Sequence, residues 1–110
     1  MNETDATEAQ CGALLLDADV PGWGGRIDEA KLDLGSCDDC VLGQVYGSYS
    51  SGCSALRLDT VVQRERHGFT LYSCDDDEWD ALAAAWLVEI RARLAPSGAA
   101  AEDPGLVAVA

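Results

Sequence analysis

The run "DDDEWDALAAAWLVEIRARLA", residues 75–95, constrains the fold of this chain more than any other segment. It begins with acidic residues, which suit the positive end of a helix dipole, and ends with Arg91 and Arg93 just before Pro96. Its apolar residues recur every three or four positions, as on one face of a helix. The pattern predicts a long amphipathic helix whose apolar face must be covered by the rest of the chain: Trp79, Leu82, Ala83, Trp86, Leu87, Ile90 and Leu94.

The length and composition indicate one folded domain that covers this helix. The chain has 110 residues, of which 48% are hydrophobic, enough for a modest core. Residues 1–7 are polar and acidic, and residues 96–110 are rich in Pro, Gly and Ala without periodicity. We therefore expect disordered tails at 1–7 and 96–110, and a single domain over residues 8–95.

Two further helices are predicted before the last one. Thr7 is a suitable N-cap for a first helix that Pro21 closes. Ser36 is a suitable N-cap for a second helix over 37–49, followed by aspartates that favour a helix start. Helical spacing predicts that the first helix buries Cys11, Leu14, Leu15 and Ala18, and that the second buries Cys37, Val41, Val45 and Tyr49.

The segment between the second and last helices favours β structure. "TVVQR" is rich in β-branched residues, and "HGFTLYS" alternates apolar and polar positions. We expect a two-stranded ribbon that pairs residues 61–63 with residues 69–72 across "RERHG". The predicted fold class is α+β and mainly helical, with three helices and this small ribbon in one compact domain.

The charge and cysteine content narrow the possible partners and the compartment. A formal net charge of -13 repels the phosphates of nucleic acids and anionic membrane surfaces. The remaining interpretations are a protein partner with a basic surface, competition for a basic nucleic-acid groove, or simple solubility, which is the commonest reason for an acidic surface. No apolar run approaches the length of a membrane span, and the first residues lack the pattern of an export signal. An odd number of cysteines, five, is typical of reduced thiols or metal ligands rather than of a disulfide framework. We expect a cytoplasmic protein without direct contact with nucleic acid or membrane.

Cys37 and Cys40 form a Cys-x-x-Cys pair that allows three interpretations. Zinc needs four nitrogen or sulfur ligands, so a metal site would add ligands such as His67 and Cys74, or Cys53, although these spacings match no standard zinc finger. A redox pair at a helix start is chemically reasonable, but the two intervening aspartates disfavour a thiolate. The third interpretation, that both thiols are small buried side chains, is favoured, so no cofactor is expected and zinc is the alternative.

The sequence carries no common catalytic signature. It lacks a P-loop, a Gly-x-Gly-x-x-Gly motif and a Gly-x-Ser-x-Gly motif, and its one histidine, His67, lies at a predicted turn. We therefore expect a non-enzymatic protein that acts by binding a partner. The candidate partner-binding residues lie on the second helix and at the acidic start of the last helix: Gln44, Tyr46, Asp75, Asp76, Asp77 and Glu78.

The segment "VPGWGGRIDEAKLDLGSCDDCVLGQVYGSY", followed by "RHGFTL" and the acidic, tryptophan-containing last helix, resembles small uncharacterised proteins of actinobacteria and their phages. The resemblance spans roughly residues 14–90, and "CDDCVLGQVYG" is its most specific piece. It implies an accessory protein of phage or mobile-element origin, and small acidic proteins of this kind often bind host factors. We therefore expect binding to a host or defence protein, with inhibition as one outcome. It carries over no functional residue, because that group has no assigned activity.

Overall fold

The computed structural model describes residues 3–72 and 75–94, and these residues form helices joined by turns. The first and last helices are long, and those between them are short. The elements are α1 (Glu3–Asp19), a 3-10 helix (Trp23–Arg26), α2 (Val41–Tyr46), α3 (Tyr49–Ala55), α4 (Val61–Arg66) and α5 (Asp76–Leu94).

The predicted β-ribbon is wrong, and so is the α+β fold class. Within the described residues there is no strand: residues 61–63 begin α4, and residues 69–72 form no regular element. A capping box starts α4, since Thr60 Oγ1 accepts from Gln63 N at 3.2 Å and Gln63 Oε1 accepts from Thr60 N at 3.0 Å. This cap outweighs the preference of Val61 and Val62 for a strand, and both valines are exposed.

The helix predicted at the end of the domain is confirmed as α5. Leu82, Trp86 and Ile90 of its predicted face are fully buried, whereas Leu94 is exposed. α1 packs along α5, but not by the predicted stripe, because Cys11, Leu14 and Ala18 are exposed. The residues of α1 that enter the core are smaller on average: Ala9, Gly12, Ala13 and Leu16. Small residues let the two helices approach closely. A search of the sequence for large apolar side chains does not detect a packing face made of such residues.

Trp86 is the centre of the core between α1 and α5. Its ring meets Trp23 edge-on with centroids 5.9 Å apart and stacks on Phe69 at 5.3 Å. Its indole Nε1 donates to the carbonyl oxygen of Gly68 at 2.7 Å. A Cβ at Gly12 would overlap the carbonyl oxygen of His67, so the turn after α4 lies directly against α1. The aromatic core thus joins α1, α5, the 3-10 helix and this turn.

The single helix predicted over 37–49 is instead a turn followed by two helices. α2 begins after Cys40 and ends at Tyr46, and α3 begins after Ser48, whose Oγ accepts from Ser51 N at 3.1 Å. α2 and α3 pack against each other, and α2 also contacts the 3-10 helix. Across residues 3–72 and 75–94, no helix is both long and apolar enough to cross a membrane.

Candidate functional site

The turn that carries the Cys-x-x-Cys pair is fixed by Ser36. Its Oγ accepts from the backbone nitrogens of Asp38 at 3.2 Å and Asp39 at 3.1 Å. Its carbonyl oxygen accepts from Cys40 N at 3.2 Å, which closes one helical turn. Ser36 therefore orders this turn, while the N-cap of α2 is Cys40 rather than Ser36 as predicted.

The two thiols of the pair have different environments. Cys40 is only 3% exposed, and its Sγ accepts from Gly43 N at 3.2 Å as the cap of α2. Burial raises the pKa of the Cys40 thiol. Cys37 is exposed at the surface. The interpretation that both thiols are buried is therefore right for Cys40 and wrong for Cys37.

Gly43 allows this turn to lie against α2. A Cβ at this position would lie 2.5 Å from the backbone carbonyls of Cys37 and Asp38, closer than real side chains tolerate. The carbonyl oxygen of Cys37 also accepts from Tyr49 N at 2.8 Å, at the start of α3. The turn is thus held between α2 and α3, with the side chain of Cys37 on the outer surface.

Gln44 and Tyr46, both candidates for partner binding, make hydrogen bonds within the molecule. Gln44 Nε2 donates to the carbonyl oxygens of Asp28 at 3.3 Å and Asp39 at 2.9 Å, and its Oε1 accepts from Asp28 N at 2.6 Å. Tyr46 OH donates to Asp19 Oδ2 at 2.6 Å. Partial burial and this bond to Asp19 raise the pKa of Tyr46. The polar ends of both side chains connect parts of the fold.

An acidic groove lies between the loop that precedes the cysteine pair and the first half of α5. Its volume is about 710 Å³, and carboxylates enter it from both sides with a single lysine among the lining residues. Trp79 is half-buried along its wall. The charged and aromatic residues that line the acidic groove are Lys31, Asp33, Asp39, Asp76, Trp79 and Asp80.

An apolar cleft of about 250 Å³ continues from the acidic groove. The two share Leu34, Gly35 and Trp79, so they form one continuous depression. The remaining walls of the apolar cleft bring the exposed Cys37 together with two aliphatic hydroxyl groups and two aromatic rings: Ser36, Cys37, Tyr49, Phe69 and Thr70. The depression therefore has a charged end and an apolar end that carries a thiol.

The acidic start of α5, predicted as one binding surface, is divided between two faces of the molecule. Asp76 faces the acidic groove, whereas Asp77 and Glu78 line a separate depression with Asp5 and Glu8 of α1. Burial, followed by the charge of Asp5, raises the pKa of Glu8. Asp75 Oδ1 accepts from Asp77 N at 2.9 Å at the beginning of the helix. Only Asp76 of the predicted acidic set lies in the groove.

Several arginines are engaged by contacts elsewhere in the fold. Arg91 pairs with Glu29 at 2.8 Å, and Arg93 pairs with Asp17 at 2.8 Å and Glu89 at 3.0 Å. Arg26 and Arg64 donate to backbone carbonyl oxygens. None of these four arginines is among the residues that line the acidic groove. Among the described residues that line the groove, Lys31 is the one cation.

The predicted zinc ligands do not form a metal centre within the described part of the chain. No group of three or more His, Cys, Asp or Glu residues there is arranged to hold a metal ion. The ring Nδ1 of His67 lies 2.7 Å from the carbonyl oxygen of Gln63, at the end of α4. Cys74, the remaining candidate ligand, lies outside the described residues.

The sequence interpretation missed the pairing that creates the groove. The sequence predicts Asp39 as one of the aspartates that favour a helix start, and Trp79 as part of the apolar face of α5. Trp79 is the first apolar residue of that face and stands among aspartates, a signal that could have suggested a partly exposed ring. Comparison with models of known protein families, with curated proteins and with solved structures finds no match to this chain.

Proposed function

We propose that this protein is a small non-enzymatic accessory protein that binds a basic segment of a protein partner in the acidic groove. The observation that carries the proposal is the placement of four carboxylates, from a loop and from α5, around one depression with a single lysine. Charge-assisted hydrogen bonds to such carboxylates are the usual way in which Lys and Arg side chains are recognised.

The size and lining of the depression favour a short peptide segment of the partner as the ligand, rather than an extended protein surface. A volume of about 710 Å³ accommodates a few side chains. The ring of Trp79 offers an aromatic surface for a lysine or arginine, and the apolar cleft offers space for a neighbouring apolar side chain. The expected ligand is a short basic segment with at least one apolar residue.

The net charge supports attraction of a basic partner at long range. With 20 acidic and 7 basic residues, the whole chain steers positive ligands towards it, and the groove adds local specificity. The resemblance to proteins of actinobacteria and their phages favours a host or defence protein as the partner, with inhibition as the result of binding.

The experiment measures binding of a synthetic Lys- and Arg-rich peptide with one central leucine, by isothermal titration calorimetry at low salt. The test variant Asp76→Asn/Asp80→Asn removes two carboxylates of the groove. The matched control Asp77→Asn/Glu78→Gln removes the same charge from another face of the same helix. We expect the test variant to bind about tenfold more weakly and the control to stay within about twofold of wild type.

Two results would contradict the proposal. Equal weakening in the two variants would show attraction to overall charge without use of the groove. Absence of binding by the wild-type protein at low salt would rule out the groove as a site for basic segments. Unfolding by urea, followed for all three proteins, checks that any weakening does not come from loss of the fold.

A further inference from the structure

The two cysteines of the pair are arranged as an accessible thiol beside a protected one. Cys37 is exposed and lines the apolar cleft, so a ligand in the cleft can reach its sulfur. Cys40 is 3% exposed and lies beneath it at the start of α2. A reagent from solvent therefore meets Cys37 first.

The backbone places the two residues one helical turn apart. The bond from Cys40 N to Ser36 O, 3.2 Å long, closes one helical turn around residues 36–40. Residues three apart in such a turn have Cβ atoms about 5–6 Å apart. A disulfide needs about 3.5–4.5 Å between Cβ atoms, so a local adjustment of the turn is sufficient.

We propose that Cys37 and Cys40 form a thiol–disulfide exchange site, in which Cys37 attacks a low-molecular-weight disulfide and Cys40 resolves the mixed disulfide. This inference does not depend on the partner proposed for the acidic groove. It follows from the unequal exposure of two thiols one turn apart and from the cleft that leads to the outer one.

The reaction balances with glutathione disulfide as the oxidant. The thiolate of Cys37 attacks one sulfur of glutathione disulfide, the S–S bond breaks, and one glutathione leaves as a thiolate that takes up a proton. Cys40 loses its proton to solvent and attacks the sulfur of Cys37, which releases the second glutathione. Two electrons pass from the protein dithiol to the disulfide, and two glutathione thiols are formed.

The equilibrium distribution of products is the quantity best measured. The rate of exchange depends on how fast a thiolate attacks the disulfide. The final distribution of species does not depend on that rate. The exchange is therefore followed to equilibrium in mixtures of reduced glutathione and glutathione disulfide.

In the test, the full chain is incubated in these mixtures, exchange is stopped with acid, and the remaining thiols are blocked. The products are then identified by mass spectrometry of the peptide that contains both cysteines. The wild-type peptide is expected to be lighter by the mass of two hydrogens, because Cys37 and Cys40 form an internal disulfide. In Cys40→Ser the glutathione adduct on Cys37 is expected to rise about tenfold or more, because no second thiol removes it. Cys37→Ser should form neither product.

Cys11→Ser is the matched control, because Cys11 is also exposed but lies on α1. It should behave as wild type. Serine at position 40 retains an acceptor for Gly43 N, so the cap of α2 is expected to persist. If that variant nevertheless unfolds, wild type and Cys37→Ser alone decide the question. The proposal would be overturned if wild type formed no internal disulfide, or if the loss of two hydrogens persisted in Cys37→Ser, because the bond would then join other cysteines.

Discussion

In the tryptophan region, which comprises α1, the 3-10 helix, Phe69 and α5, stability comes from large side chains such as Trp23 and Trp86, both 0% exposed. In the cysteine region, residues 28–58, the helices have only six and seven residues, and polar groups hold them together. Ser36, Cys40, Gln44 and Ser48 each bond to backbone nitrogens there. Both regions bury apolar side chains, among them Val41 and Leu42 of α2, but the cysteine region depends in addition on hydrogen bonds and close backbone contact.

This difference determines how each region responds to mutation. A buried aromatic side chain contributes in proportion to the area that it removes from water, so the cost of truncating it is large. A hydrogen bond contributes only about 1 kcal/mol net, but a misplaced methyl group in a tight contact displaces backbone. Truncation of a large side chain is therefore expected to cost most in the tryptophan region. In the cysteine region, an added methyl group at a tight contact is expected to cost more than the loss of one hydrogen bond.

The largest effect is expected from Trp86→Ala. The substitution removes the contacts with Trp23 and Phe69 and leaves the carbonyl oxygen of Gly68 without its indole donor. We expect the free energy of unfolding to fall by about 3–5 kcal/mol in urea titrations followed by circular dichroism. Trp86→Phe keeps a ring in place and should lose less than half as much. A loss below about 1 kcal/mol for Trp86→Ala would refute the central role of this side chain.

The complementary test in the cysteine region is Gly43→Ala. Alanine in place of glycine normally stabilises a helix by about 1 kcal/mol. Here the added Cβ would meet the backbone of Cys37 and Asp38 at 2.5 Å, so we expect the free energy of unfolding to fall by about 1–3 kcal/mol instead.

Gly25→Ala is the control for that substitution, because a Cβ there meets nothing within 4 Å. We expect its effect to stay within about 0.5 kcal/mol by the same urea titration. If Gly43→Ala proved as stable as wild type, the turn around the cysteine pair would be able to move away from α2, and the contrast between the two regions would disappear.

The same contrast explains which parts of the fold could be predicted from the sequence. α5 is long and its apolar residues recur at helical spacing, so the sequence pattern predicts it. The core face of α1 was misplaced because Ala9 and Ala13 give a weak hydrophobic signal although they permit close packing. The β-branched Val61 and Val62 favour a strand where the structure has α4, although Thr60 and Gln63 show the spacing of a capping box. Short helices depend on such caps more than on periodicity.

The candidate site was predictable in its components but not in its assembly. The acidic residues and the cysteine pair are evident in the sequence. The groove, however, joins Asp33 and Asp39 to Asp76 and Asp80, which are distant along the chain and come together only because α5 packs in the core. The opposite exposures of Cys37 and Cys40 follow from the turn at Ser36, since α2 begins one turn later than the sequence suggested.

The smallest expected effect concerns a polar contact within the tryptophan region. Arg93 lies over the ring of Trp23, with its guanidinium carbon 5.4 Å from the ring centroid, and pairs with Asp17 at 2.8 Å. Asp17 Oδ1 also accepts from Trp23 Nε1 at 2.9 Å. The hydrogen bond from Arg93 is the main cause that lowers the pKa of Asp17 in the folded protein. Because the Asp17 side chain is 43% exposed, solvent screens the pair.

The direction of the pH effect follows from that lowered pKa. Ionised Asp17 stabilises the fold above the ordinary aspartate pKa of about 4, and this stabilisation is lost as the pH falls through the lower folded-state pKa. Asp17→Asn should therefore be less stable than wild type near neutral pH, by less than about 1 kcal/mol, and the difference should shrink in acid. Urea titrations across this pH range, repeated in an Arg93→Gln background, isolate the pair as a double-mutant cycle. If the coupling free energy between Asp17 and Arg93 does not change with pH, the ionic pair adds nothing beyond the packing of Arg93 against Trp23. Buried aromatic area alone would then stabilise this region.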